Sequence, residues 1–285
     1  MLELGFFNGV ALLTMVVVIG VWRKRSKPKP MESFLVSNPP QDTVVLHQYG
    51  PALTVPSISP FVMKMETYLR AAGIPYVNKF DRWPGPKDKL PWIQYNHQVV
   101  ADSQMCIEFL NQERCVDLNK KLSPSDWAVG HLLRRTCEES LYWALLMWRL
   151  VFDKDATIYN RMSIPKPVIW YMRRMSYGRL WSQGIGRHKE QEVTQIMEDD
   201  LSALSTMMGD HKFLFGDTKD CVSEFDCAVF GQLCQLVWQM PGCCVQETIA
   251  KKYPNLVSFC ENMKAAFWPD WEDRLLKTVK KMNCK

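Results

Sequence analysis

Residues 42 to 114 alternate in an order that few folds accept. "DTVVLHQYG" (42–50) is rich in β-branched residues and stops at Gly50-Pro51, the signature of a strand and its end. A helix follows. Ser59 is a good N-cap, Pro60 suits the first helical position and Gly73 suits the end. Between them Phe61, Met65, Tyr68 and Ala72, with Val62 and Leu69 beside them, recur at helical spacing. "IPYVNKF" gives a second strand. "PWIQY" and "QVVA" give a third and fourth, joined in a tight hairpin at Asn96-His97. Pro91 opens the third strand, a position where proline is tolerated. Asp102 and Ser103 then cap a helix running through Ile107 and Leu110. The predicted order is β-α-β-β-β-α.

Residues 123 to 285 read as helical. Ser123, Pro124 and Asp126 form a helix start with a cap, a proline at N1 and an acid at N3. Trp127, Leu132 or Leu133, Cys137, Leu141, Ala144 and Trp148 follow at helical steps. Val193, Met197, Leu201, Leu204 and Met208 make a second stripe, while Glu198, Asp199 and Asp200 read as its solvated face rather than as metal ligands. No metal is expected. Ser223 and Asp226 make an S-x-x-D capping box, with Val222 and Cys227 placed as a hydrophobic staple. "IPKPVIWYMRRMSYGRLWSQGIG" (164–186) mixes aromatics with arginines. It reads either as a helical insertion packing its aromatics or as a helix lying in a membrane interface.

The N-terminus adds a different kind of constraint. "GFFNGVALLTMVVVIGVW" (5–22) is an apolar run of 18 residues followed at once by "RKRSKPKP". At ~1.5 Å per residue it just spans a ~30 Å hydrocarbon layer. A signal peptide would carry its positive charge before the apolar core and end in a small-residue cleavage site. The run is therefore expected to be a retained single-pass anchor (1–22), the alternative being a cleaved or mitochondrial address. The positive-inside rule places the folded body in the cytoplasm. Residues 23–41, basic and then proline-rich, are expected to tether the body to the membrane.

Charge and cysteine usage narrow the function further. Formal net charge is +5, but five of the 35 basic residues and one of the 30 acids lie before residue 30. The body is thus nearly neutral, which argues against nucleic-acid binding. Ten cysteines stand mostly in apolar helical runs with no zinc-like CxxC pair. They fit a reduced, cytosolic compartment.

Two places carry ligand chemistry. A helix start at Ser59-Pro60 presents unpaired N–H groups and a positive partial charge, which favour a thiolate or another anion. No cysteine and no glycine-rich loop stand there. Asp102-Ser103 at a second helix start offers a carboxylate to an ammonium and N–H groups to a carboxylate, or serves as a plain N-cap.

The arrangement resembles the thioredoxin-like half of the glutathione transferases. Ser59-Pro60-Phe61 stands where many members have Cys-Pro-Phe. Leu90-Pro91 stands where the family has its cis-proline, whose preceding residue pairs with the glutathione backbone. Asp102-Ser103 stands where an acidic residue and serine hold the γ-glutamyl end. The resemblance implies an α/β thioredoxin-like domain (42–118) followed by an all-α transferase-like domain (119–285). It also implies glutathione, or a ligand like it, held by Ser59, Leu90, Pro91, Asp102 and Ser103. Catalytic candidates are Ser59, Ser57 and Tyr49, any of which would stabilise the glutathione thiolate by a hydrogen bond. A serine hydroxyl is no nucleophile without a base, and His47 reads as an ordinary strand residue. The Ser223–Asp226 box and "YPNL" also match this family's helical domain, where the box serves folding. Homodimerisation follows by analogy alone.

Residues 43 to 272 resemble, more narrowly, the failed axon connections homolog family, a branch related to metaxins. "VPSISPFVMKMETYL", "LPWIQYNH", "QGIGRHKEQEV", "VFGQL" and "FWPDW" carry this. It implies the two-part transferase fold, a role in axonal development and no established chemistry. Several members carry Cys where this chain has Val62, and the long acidic tail of some members is missing. Two readings follow. One is a membrane-anchored scaffold or binding protein, with protein partners or a glutathione-like ligand and without turnover or cofactor. The other is a glutathione-dependent transferase using Ser59 or Tyr49.

Overall fold

A computed structural model describes residues 31–81, 85–162, 164–240 and 244–275. The expected anchor at 5–22 lies outside these residues. Among the described residues no helix is long and apolar enough to cross a membrane.

The first domain has the expected element order: β1 (Val44–Gln48), α1 (Pro60–Ala71), β2 (Tyr76–Phe80), β3 (Trp92–Tyr95), β4 (Gln98–Ala101) and α2 (Ser103–Arg114). The sheet order is β2-β1-β3-β4. β1 runs parallel to β2 and antiparallel to β3, with Leu46 opposite Ile93, and β3 runs antiparallel to β4. Because side chains alternate along a strand, β1 divides its residues between two faces. Val44 and Leu46, with Ile93 and Tyr95, pack under Met65, Tyr68 and Leu69 of α1 and Ile107 and Leu110 of α2. His47 and Trp92 stack on the opposite face, 3.4 Å apart, and Phe34 closes over Trp92 edge-on. The stretch read as the end of a tether thus packs on the body. Val36 N–H donates to Gln94 Oε1 at 2.6 Å, and Gln94 Nε2 donates back to Val36 O at 3.3 Å.

The helical domain contains α3 (Pro124–Thr136), α4 (Tyr142–Met147), α5 (Thr157–Arg161), α6 (Lys166–Gln183), α7 (Glu190–Met208), α8 (Glu224–Trp238), α9 (Cys244–Lys252) and α10 (Pro254–Phe267). The region expected as one regular helix from 123 is instead broken by two π-helical stretches, Cys137–Leu141 and Trp148–Phe152. Each wider turn resets the helical phase. Leu133, Cys137, Leu141, Ala144 and Trp148 reach the core, whereas Trp127 and Leu132 from the predicted stripe remain exposed. The α7 stripe of Val193, Met197, Leu201, Leu204 and Met208 is buried in full. Val222 and Cys227 are both buried, but they pack into different clusters.

The two domains meet where α8 crosses α1. Gly231 makes this contact possible. A Cβ there would stand 2.5 Å from the Pro60 carbonyl oxygen and 2.9 Å from the Lys64 nitrogen.

Candidate functional site

Strand directions gather the predicted residues. β1 ends at Gln48, β3 begins at Trp92 opposite His47, and β4 ends at Ala101 opposite Trp92. Tyr49, the 57–61 loop, Leu90-Pro91 and Asp102-Ser103 therefore converge on one edge of the sheet.

Ser59 caps α1 as expected. Its Oγ accepts from Val62 N–H at 3.4 Å, and Pro60 takes the first helical position. Ser59 is half-buried, whereas Ser57 is fully buried and its Oγ accepts from Ser59 N–H at 3.4 Å. Val62 is also fully buried. Phe61 meets Tyr142 of the helical domain edge-on at 4.9 Å. Tyr49 is 39% exposed; burial pushes its phenol pKa up, partly offset by the charge of Arg179. Burial and the neighbouring Tyr49 push Tyr142 up to about 12.

The Leu90–Pro91 peptide is cis. Asp102 has φ 89° and ψ 129°, a conformation that L-residues rarely adopt and that costs about 1–3 kcal/mol. Its carboxylate accepts from Gln104 N–H at 3.0 Å and Met105 N–H at 3.4 Å, so it caps α2. Asp102 is exposed and Ser103 is buried. His47 lies on the face of the sheet away from α1, bonded to Asp81 at 2.5 Å. Burial holds its imidazole pKa down against the pull of Asp81. The sheet separates it from Ser59, so it cannot serve as that hydroxyl's base.

Four further residues shape this edge. Lys87 reaches the Ala101 carbonyl at 3.0 Å, which brings a cation beside Asp102. Arg149, buried in the helical domain, donates to the Ile58 carbonyl at 3.1 Å and to Gln235 Oε1 at 2.8 Å. Gln235 Nε2 in turn donates to the Ser57 carbonyl at 2.9 Å. The loop ahead of Ser59 is thus bolted to the helical domain. Burial lowers the Arg149 pKa to about 10. Lys64, one turn into α1, is buried between Glu138 Oε1 at 2.6 Å and Gln104 Oε1 at 2.8 Å. A charge inside an apolar run, as in "FVMKMETYL" and "LLMWRLVF", is the signal that marks Lys64 and Arg149.

The Ser223–Asp226 box forms deep in the core. Asp226 accepts from Ser223 N–H at 2.9 Å, from Ser223 O–H at 2.6 Å and from Leu214 N–H at 2.8 Å. Burial still raises its carboxyl to about 6 against these bonds. "FWPDW" closes the chain back onto α1. Asp270 binds Arg70 at 2.6 and 2.9 Å, Trp268 Nε1 donates to Thr67 Oγ1 at 3.0 Å, and Arg274 pairs with buried Glu66. No cluster of three or more metal-ligating side chains occurs among the described residues.

Comparison with known proteins agrees with this geometry. Residues 60–156 match a glutathione S-transferase N-terminal domain model, and residues 197–263 match a glutathione S-transferase C-terminal domain model. A glutathione S-transferase of Ceriporiopsis subvermispora, solved with glutathione, superposes with a TM-score of 0.57 at 14% identity, covering 78% of this chain and 97% of that one. The chain is a glutathione transferase-like protein of two domains. Within that class it resembles failed axon connections and the metaxins. It is 27% identical to Failed axon connections of Drosophila melanogaster over 87% of this chain, and spans 64% of that protein's length. It is 23% identical to the mitochondrial outer membrane import complex protein metaxin of Arabidopsis thaliana, over 76% of this chain and 70% of that one. It is also 26% identical to isoprene-epoxide–glutathione S-transferase of a Rhodococcus strain, over 79% of this chain and 99% of that one.

Proposed function

We propose that this protein is a membrane-anchored, glutathione transferase-like binding or scaffold protein that does not turn over substrate. The start of α1 carries the reading. It holds no thiol in its first turn, and Ser57, one of the two serine candidates, is sealed inside. The carbonyls of Ser57 and Ile58 are taken by Gln235 and Arg149. The apolar run at 5–22 with its following basic cluster supports a single-pass anchor with the body in the cytoplasm. The likeness to a mitochondrial outer membrane import complex protein supports membrane association and protein partners. The likeness to Failed axon connections supports a role in axonal development.

A second reading, a glutathione-dependent transferase, draws on the cis Leu90–Pro91 peptide, the Asp102–Ser103 turn and the likeness to isoprene-epoxide–glutathione S-transferase. In that reading Ser59 or Tyr49 donates a hydrogen bond to the glutathione sulfur. The solubilised full chain, passed over immobilised glutathione and assayed with a generic electrophile, separates the two. The scaffold reading expects no turnover. Turnover lost on Ser59→Ala would overturn it, and absence of binding at millimolar glutathione would eliminate the transferase. Deleting residues 1–22 is expected to make the protein extractable from membranes by salt, where the full chain needs detergent. Continued retention after a salt wash would refute the anchor.

A further inference from the structure

α6 meets the body along one side, with Met172 half-buried beside the main stripe, and leaves the opposite side uncovered. Ile169 and Leu180 are buried, with Arg173 and Ser176 half-buried between them. These positions fall at i, i+4, i+7 and i+11, one face of a helix. About a quarter-turn away, a second stripe of the same spacing carries Trp170, Arg174, Tyr177 and Trp181. Their exposures are large: 67% for Trp170, 45% for Tyr177 and 49% for Trp181. Tyr171, Met175 and Val168 extend this apolar surface around the helix. Several adjacent large exposed side chains on one helix mark an interaction surface.

Charge identifies the partner. From residue 156 to 189 there is no Asp or Glu, while Arg161, Lys166, Arg173, Arg174, Arg179, Arg187 and Lys189 are all basic. Two copies of such a face would repel each other, so a second copy of this chain is a poor occupant. An anionic surface complements it. The combination of Trp, Tyr and Arg suits the boundary between headgroups and acyl chains, where aromatic rings sit and cations reach phosphate. With several charges among its 18 residues, α6 is not apolar enough to cross a bilayer.

We propose that α6 is an interfacial helix that docks on an anionic phospholipid surface through Trp170, Tyr177 and Trp181, with Lys166 and Arg174 on the lipid phosphates. This contact is separate from the anchor at 5–22 and from the edge around Ser59. It adds an orientation: the helical domain faces the bilayer.

The test uses the full chain reconstituted in vesicles with brominated acyl chains, of phosphatidylcholine alone or mixed with phosphatidylserine. Tryptophan quenching in the wild type is compared with Trp170→Phe/Trp181→Phe. In anionic vesicles the wild type should show additional quenching that the double variant lacks. Phosphatidylcholine alone, or high salt, should abolish that difference. Equal quenching of the two proteins in anionic vesicles would overturn the proposal. So would a concentration-dependent shift of wild-type emission without lipid, absent in the double variant, since that would put a second copy on this face. If the full chain fails to insert, the anchor reading fails on its own. Flotation with preformed anionic vesicles then still tests α6: Lys166→Glu/Arg174→Glu should weaken binding by ~tenfold or more, at about 1 kcal/mol per basic residue near the surface. Unchanged flotation would overturn it.

Discussion

Removing Glu138 should destabilise this protein more than removing Lys64, although the two form one ion pair. Lys64 is 1% exposed and Glu138 is 9% exposed. Glu138 answers two cations, with Oε1 at 2.6 Å from Lys64 Nζ and Oε2 at 2.9 Å from Arg134 Nη1. Lys64→Met leaves Glu138 still paired with Arg134, so no buried charge loses its only counter-charge. The cost is the lost charge-assisted bonds, about 1.5–3 kcal/mol. Glu138→Leu leaves two cations in the interior, Lys64 with only the neutral Gln104 and Arg134 with only the His131 ring nitrogen at 3.4 Å. Breaking a buried pair from the side that strands a charge costs about 3–5 kcal/mol, and two stranded cations place this variant at the upper end. Replacing all three residues, as Lys64→Met/Arg134→Met/Glu138→Leu, should recover most of that loss, since no charge remains to be desolvated. Urea unfolding followed by tryptophan fluorescence measures the order. A Lys64→Met variant as unstable as Glu138→Leu, or a triple variant no better than Glu138→Leu, would refute this account of the domain interface.

Asp226 has a folded pKa of about 6, raised by burial from an ordinary 3.8. Stability should therefore fall by about 3 kcal/mol as pH climbs from about 4 through about 6, and Asp226→Asn should flatten that slope in pH-dependent unfolding curves. Gly231→Ala should cost about 2–3 kcal/mol, because the new methyl meets the Pro60 carbonyl and the Lys64 backbone nitrogen rather than a movable side chain; thermal unfolding reads this as a lowered Tm. Ser59→Ala should cost only about 0.5–1 kcal/mol, since its capping bond is long at 3.4 Å. Asp102→Gly relieves a positive φ while keeping a tolerable cap, so the protein should unfold at the same or a higher temperature, and any affinity for glutathione at this edge should drop.

Much of the first domain was legible in the sequence, because its signals are local. Gly50-Pro51 ends β1, Ser59-Pro60 starts α1, Asn96 turns the hairpin with φ 51°, and Asp102 starts α2. α1 itself was only half legible. Helical spacing marked Met65, Tyr68 and Leu69 as core, yet Lys64, Glu66 and Thr67 are equally buried. The second face of the helix is covered by partners that no local window contains: Glu138, 74 residues away, Trp268, 201 away, and Arg274, 208 away. The helical run beginning at Pro124 was legible in its core positions but not in its regularity. A constant 3.6-residue period does not contain the two π-helical stretches, yet Leu133, Cys137, Leu141, Ala144 and Trp148 of the predicted stripe are buried; the miss is at the start, where Trp127 lies in the second turn of the helix and stays exposed. "FWPDW" was recognisable as a pattern, but its work was not. The structure gives that work to Trp268 and Asp270, which hold Thr67 and Arg70 of α1.

The candidate site divides along the same line. Ser59, Ser223 and Asp226 are each accounted for by capping, so their presence argues for the fold and is neutral on chemistry. Capping does not account for Asp102 in the same way. A cap needs a side-chain acceptor in extended backbone, a conformation any residue adopts freely, whereas Asp102 holds its acceptor at φ 89° at a cost of about 1–3 kcal/mol. The cap's own contribution of about 1 kcal/mol does not clearly offset that cost. A ligand held against this backbone, between Ala101, whose carbonyl Lys87 holds, and buried Ser103, would offset the remainder. The strain at Asp102 is thus the feature that best accords with the binding proposed for this edge, whereas the first turn of α1 carries no thiol.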